Sequence, residues 1–274
     1  MSPRRRSRSF DWLTITSRSV SGSSPKSNVS RKKVASGISI DHASYMTPQN
    51  ASSAENRISK VWTIVVAAGE SKRFGEDKQK LKIGNKTVLE SSVSSATSVG
   101  SVVIVTQAGR VREIEQFFST TQSVKSVVPG GQTRTASVFS GLSQVPPEVE
   151  IVLVHDGARP LATKGLFKCV VEEIENGSKA VVPVVEVNDS LRNIAGNALD
   201  RSEVVAVQTP QGFKASVLRT AYLSEEEFTD DASKVENQGV KVEVIKGEPN
   251  NLKITHPIDL LVARQIANEV EDID

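Results

Sequence analysis

From Val61 onward the chain alternates between two hydrophobic periods. Five short runs rich in β-branched residues, WTIVVAA (62–68), SVVIVTQ (101–107), SVKSVVP (123–129), EIVLVHD (150–156) and AVVPVVE (180–186), are dominated by apolar residues. Between them, stretches 86–98, 109–119, 133–144 and 164–176 repeat their apolar residues at three- and four-residue spacing, the signature of a helix with one buried face. Strands that are apolar on both faces and take turns with such helices predict a mostly parallel sheet covered on both sides. This is a Rossmann-like α/β three-layer sandwich of about 210 residues. No internal repeat interrupts the pattern.

The alternation does not reach back to Met1. Residues 1–60 carry eleven Lys or Arg, three acids (Asp11, Asp41, Glu55) and sixteen serines, a charge of +8. The rest of the chain carries 23 basic and 29 acidic residues, so the overall +2 hides two regions of opposite sign. So polar and charged a segment cannot bury enough apolar surface to offset the entropy of ordering. Residues 1–58 are therefore expected to be a disordered, basic, Ser/Arg-rich extension, and 59–274 the folded domain. A solvated extension is the preferred reading of 1–58, ahead of an organelle transit peptide and of a nucleic-acid-binding arm. Its aromatic residues, Phe10, Trp12 and Tyr45, give base stacking little to work with. Translation from Met46 would still deliver the whole folded part.

Composition narrows the chemistry. The chain is 38% hydrophobic and 24% charged, ordinary for a soluble domain. No stretch approaches the roughly 18 apolar residues of a membrane span, and no signal-peptide pattern is present, so a cytoplasmic protein is expected. One cysteine and three histidines leave no internal disulfide and no plausible zinc cluster. No G-x-S-x-G elbow is present, which sets acyl-transfer hydrolases aside. Cys169, within LFKCVVEEI, reads as inert core.

Ligands of such sheets bind at the carboxyl ends of the strands. Behind the first run stands AAGESKRFGEDKQK (67–80), in which Gly69 frees the backbone to approach a ligand and Lys72, Arg73, Lys78 and Lys80 crowd together. Cations tolerate such crowding where a polyphosphate neutralises them. Neither G-x-x-x-x-G-K-[ST] nor G-x-G-x-x-G is present, and a plain charged loop is the competing reading. Asp156 ends the fourth run, placed to hold Mg²⁺ beside a phosphate loop or merely to cap a turn. Arg159 could bind a second anion or pair with Asp156, and His155, on the opposite face, reads as packed. PGGQTRTASV (129–138), with Gln132, Arg134 and Ser137, suits a turn into a helix N-terminus that receives a base edge or an anion.

Taken in order, AAG…KR…DKQ…IGN, GGQTRTASV, VHDGARP, VNDS, VQTPQGF, TDDAS and NLKIT resemble the 2-C-methyl-D-erythritol 4-phosphate cytidylyltransferase family over about residues 61–270. The wording is most like bacterial, actinobacterial members. The resemblance implies transfer of CMP from CTP to methylerythritol phosphate with release of pyrophosphate, on the non-mevalonate isoprenoid route. It implies that groups around Ala67, Ala68, Gly69, Gly131 and Gln132, with Ser137, read cytosine and ribose. Arg73 and Lys78 would grip the triphosphate, with Lys253 helping near the α-phosphate. Asp156 would face substrate and Mg²⁺, and Arg159, Ser190, Arg201, Thr209 and Thr229 would hold methylerythritol phosphate. Residues 186–206 would form an arm around a second subunit, so that Ser190 and Arg201 complete the partner's site in a homodimer.

Departures from the family pattern are Ser71 for glycine, a first loop two residues shorter, Asp77 for proline, Lys80 for an aromatic residue, Gly157 for alanine and Ser190 for threonine. They bear on loop geometry and affinity and leave every expected charged group in place. The alternatives are a cytidylyltransferase for another polyol phosphate, such as ribitol 5-phosphate, and a non-catalytic protein that binds nucleotide or nucleic acid.

Overall fold

The computed structural model describes residues 59–69 and 74–271. The extension 1–58 and Arg73 lie outside the described residues.

Each of the five apolar runs is a strand. The order along the chain is β1 (Val61–Val66), β2 (Lys82–Ile83), β3 (Lys86–Thr87), α1 (Val88–Ala96), β4 (Ser101–Thr106), α2 (Val111–Phe117), β5 (Val124–Pro129), α3 (Arg134–Leu142), β6 (Ile151–Asp156) and α4 (Lys164–Glu175). There follow β7 (Ala180–Glu186), β8 (Leu191–Arg192), β9 (Ala198–Leu199), β10 (Val205–Val207), β11 (Gln211–Lys214), α5 (Ala215–Ala221), α6 (Asp231–Glu236), β12 (Glu243–Lys246) and α7 (Pro257–Glu271). The sheet runs β5, β4, β1, β6, β11, β7 and β10, with β12 also on β7. The β5–β4–β1–β6 and β12–β7 pairings are parallel, and β10 and β11 are antiparallel to their neighbours.

Burial explains the patterning. One face of the sheet packs on α1, α2 and α4 through Leu89, Val93, Ile114, Phe167 and Val170. The other packs on α3, α5 and α6 through Val138, Leu142, Leu218 and Val235. Central β4 and β6 are buried at every position, whereas β5, at the sheet edge, is buried only at Val127. A smaller cluster of Phe74, Ile83, Val88, Ile254, Leu260 and Ala263 joins the first loop to the start of α7. It places the Lys78 turn beside the NLKIT segment.

Cys169 corrects the sequence reading, because its side chain is exposed. On α4 the buried positions are Leu166, Phe167, Val170, Val171 and Ile174, and Cys169 falls with Lys168 on the other side of that stripe. Neighbouring apolar letters hid the phase of the helix.

Candidate functional site

Ten of the residues singled out in the sequence line one cleft of about 540 Å³ at the carboxyl ends of the strands: Ala67, Ala68, Gly69, Lys78, Gly131, Gln132, Arg134, Ser137, Asp156 and Lys253. That volume suits a nucleotide-sized ligand.

The walls follow from local chemistry. β1 carries on past Val66, with the Ala67 amide donating to Val105 O at 2.7 Å, so the chain leaves the sheet at Ala68 and Gly69. The second turn presses against it: a Cβ on Gly130 would lie 2.4 Å from Ala68 Cβ, and one on Gly131 2.4 Å from Ala136 Cβ. Only glycine allows that approach. Thr133 then caps α3, its Oγ1 accepting from the Ala136 amide at 3.0 Å, and Ser137 Oγ donates to Thr133 O at 2.9 Å. On the opposite lip Lys78 donates from Nζ to Ile254 O at 2.7 Å.

Asp156 is the hub of the floor. Its carboxylate meets Lys253 Nζ at 2.8 Å, Arg134 Nε at 3.6 Å and Arg159 Nε at 3.7 Å. Burial would raise its pKa, but the charges of Lys253, Arg134 and Arg159 outweigh burial and hold the carboxyl well below the usual carboxylate range. The Asp156 amide donates to Thr209 Oγ1 at 3.0 Å, and Thr209 Oγ1 lies 3.0 Å from His155 Nδ1. His155 Nε2 lies 3.2 Å from Arg159 O, which can only accept. The proton is therefore on Nε2, and Thr209 donates to Nδ1. Burial, stronger than the neighbouring charges, lowers the His155 pKa to about 4, so the ring is neutral at physiological pH.

The sequence placed Arg134 in the turn that receives a base edge or an anion, but did not disclose its ion pair within TDDAS. Arg134 Nη2 meets Asp231 Oδ2 at 2.7 Å, and Tyr222 Oη donates to Asp231 Oδ1 at 2.5 Å. Asp231 is fully buried. Burial would lower the Arg134 pKa, yet Asp231 and Asp156 together keep it above its ordinary value. Burial, reinforced by Asp231, raises that of Tyr222. Gln211 ties the motifs TPQGF and TDDAS together, donating to Asp230 Oδ2 at 2.8 Å and accepting from the Ala232 amide at 3.1 Å. The doublet Asp230–Asp231 was the available signal, since an acid that enters the core needs a cation.

The remaining predicted residues stand apart from the cleft lining. Arg159 lies behind the floor, donating to Asn251 O at 2.7 Å and Val207 O at 3.3 Å, and burial lowers its pKa against the pull of Asp156. Thr209 is buried, its hydroxyl committed to Asp156 and His155. Thr229 is exposed one residue before Asp230, the cap of α6. Ser190 and Arg201 are exposed on the arm that holds the β8–β9 hairpin, where Arg201 donates to Asn188 O at 2.6 Å. The arm also exposes Ile194, Leu199 and Val205, and Val207 just beyond it is exposed too.

Among the described residues no three acids, histidines or cysteines converge on a metal site. Asp156 is the sole carboxylate of the cleft lining among the described residues. That donor set fits a magnesium ion arriving on a nucleotide, which prefers one or two carboxylates plus phosphate oxygens.

Comparison with known proteins bears on the same region. The family model for 2-C-methyl-D-erythritol 4-phosphate cytidylyltransferase matches residues 61–269. A protein of that name from Rhodococcus opacus (strain B4) is 40% identical over 217 residues, covering 76% of this chain and 96% of its own length. One from Saccharopolyspora erythraea is 37% identical over 220 residues, covering 75% and 98%. The crystal structure of the Thermus thermophilus enzyme superposes with a TM-score of 0.62 at 32% identity, covering 75% of this chain and 98% of that one.

Proposed function

The chain belongs to the 2-C-methyl-D-erythritol 4-phosphate cytidylyltransferase family, a nucleotidyltransferase that moves CMP from CTP to methylerythritol phosphate, and from that premise we propose which of its groups do the work. The observation that carries the proposal is the buried, ionised Asp156 among Lys253, Arg134 and Arg159, on the floor of a cleft whose lip holds Lys78. A carboxylate held so far below its usual range accepts no proton at neutral pH, and among the described residues the cleft lining contains neither histidine nor cysteine. Such a site suits a reaction without a protein base. The acceptor's phosphate monoester, with a second pKa near 6, is already mostly ionised and serves as nucleophile.

In this reading cytosine and ribose lie between Ala68 and Gly69 on one side and Gly131, Gln132 and Ser137 on the other. Lys78, with Arg73, holds the triphosphate, and Lys253 draws the acceptor's phosphate towards the α-phosphorus. Attack in line forms the new P–O bond as the bond to the β-phosphate oxygen breaks, and pyrophosphate departs with the electron pair. Rate enhancement comes from positioning and from cations placed where charge accumulates. A magnesium ion held by Asp156 and phosphate oxygens would neutralise part of the nucleotide's charge. Thr209 acts through the Asp156 backbone and His155. Arg159 and Thr229 complete the acceptor side, Ser190 and Arg201 reach a partner's cleft, and the exposed apolar residues of the arm suit burial in a homodimer. A cytoplasmic location belongs to the same proposal, supported by the bacterial relatives.

The test is a pyrophosphate-release assay with CTP, Mg²⁺ and methylerythritol 4-phosphate, alongside ribitol 5-phosphate and a metal-free arm. Turnover with the first acceptor in the presence of metal is expected. Equal or greater turnover with ribitol 5-phosphate would reassign the acceptor, and undiminished activity in EDTA would remove the metal.

A further inference from the structure

The first loop is gripped at both described ends by one short stretch of chain after β4. At its start, Gln107 Nε2 donates to Gly69 O at 3.2 Å. At its far end, Arg110 Nη1 meets Asp77 Oδ2 at 2.8 Å. Arg110 also reaches Glu113 through Nη2 at 3.3 Å, and Glu113 Oε1 meets Lys80 Nζ at 3.0 Å. Asp77 and Lys80 thus flank Lys78, Asp77 held by Arg110 and Lys80 by Glu113, which are themselves paired. Within the turn, Asp77 Oδ1 accepts from the Gln79 amide at 3.2 Å and Asp77 O from the Lys80 amide at 3.1 Å.

Helix stability does not explain Arg110. It precedes the first turn of α2 and makes no capping hydrogen bond, and a cation there opposes the helix dipole. Its side chain is nevertheless only 12% exposed, against 49% for Glu113 and 52% for Lys80. Asp77 holds a φ of −73° and is fixed there by its ion pair with Arg110.

We infer that Gln107, Arg110 and Glu113 are positioning residues for the nucleotide, a two-point clamp that sets the start of the first loop and the turn presenting Lys78. The inference rests on the proposed triphosphate site, and adds that its geometry in this chain depends on charges outside the cleft. No clamp residue lines the cleft, so each acts through the loop. Because the pairs are partly exposed, salt weakens them.

The experiment uses the full-length chain with Arg110→Ala, Asp77→Asn and the double variant; asparagine keeps the capping acceptor and removes the charge. Hydrogen exchange without nucleotide should show the amides of Gln79 to Leu81 exchanging about fivefold faster in Arg110→Ala, the scale of one partly exposed ion pair. The KM for CTP should rise by about the same factor, with kcat and the KM for the acceptor changing less than about twofold. The double variant should be no worse than Arg110→Ala, because both substitutions break one contact. Wild-type exchange rates, an unchanged KM for CTP, or additive effects would overturn the clamp. So would a wild-type KM in Asp77→Asn beside a raised one in Arg110→Ala, since Arg110 would then be touching nucleotide directly. A wild-type protein that releases no pyrophosphate contradicts the proposed function instead, and the exchange measurement still decides the clamp.

Discussion

On the floor of the cleft Asp156 is 8% exposed, and two of the groups that hold it are themselves held from behind, Arg134 by Asp231 and Thr209 by His155. At the rim, Lys78 rests on a turn fixed by Asp77, Arg110, Glu113 and Lys80, two of them about half exposed. The same cleft is thus built in two ways. Burial makes the floor's charges strong and costly to unpair, whereas water and salt weaken the rim's. Damage to the floor should register in folding, and damage to the rim in binding and turnover.

The largest effect is expected at the floor. Asp231→Ala leaves the Arg134 guanidinium with only its longer contact to Asp156 and should destabilise the fold by about 3–5 kcal/mol, measured by urea unfolding. A loss below about 1 kcal/mol would place the two regions on the same footing.

The pH dependence of stability separates the regions next. His155 titrates at about 4 folded and near 6.5 unfolded, so the unfolded chain binds the proton first as pH falls. The stabilisation is complete above about pH 6.5 and lost on descending towards pH 4, about 3 kcal/mol in all. The facing charges, Asp156 and Arg159, keep their ionisation through that window. Unfolding followed across it should show the slope in the wild type and its loss in His155→Gln; an equal slope in both assigns it elsewhere.

At the rim, Lys78→Ala should lower kcat by at least about 10²-fold while leaving stability near wild type, the scale for one preorganised charge in a transition state. The same is expected of Arg73→Ala. Near-wild-type turnover in either would remove that residue from the mechanism.

Two smaller changes sharpen the contrast. Tyr222→Phe removes one hydrogen bond to buried Asp231 and should cost about 1–2 kcal/mol by thermal or urea unfolding. Lys80→Gln removes an exposed pair and should cost less than about 0.5 kcal/mol. A reversal of that order would contradict the division between floor and rim.

The sequence disclosed these regions unequally. Strand ends were legible because an apolar run that stops at Asp156, or gives way to Gly69, marks where the sheet hands over to the cleft. The rim's cations were legible as a local crowd of charge. The floor's second layer was not, because Asp231 meets Arg134 and Tyr222 only across folded distance, and nothing in TDDAS says which aspartate enters the core. The clamp was hidden for a similar reason: Arg110 and Glu113 read as the polar face of an ordinary helix. Cys169 shows the converse error, an apolar neighbourhood in sequence mistaken for one in space.

The most direct test of the central claim is to follow oxygen from an acceptor labelled with ¹⁸O in its phosphate, using ³¹P NMR and mass spectrometry of the products. If the acceptor's phosphate attacks CTP while the protein supplies only position and charge, ¹⁸O will appear in the bridge of the new diphosphate and pyrophosphate will be unlabelled. Label in pyrophosphate, or a bridge without it, would contradict the account.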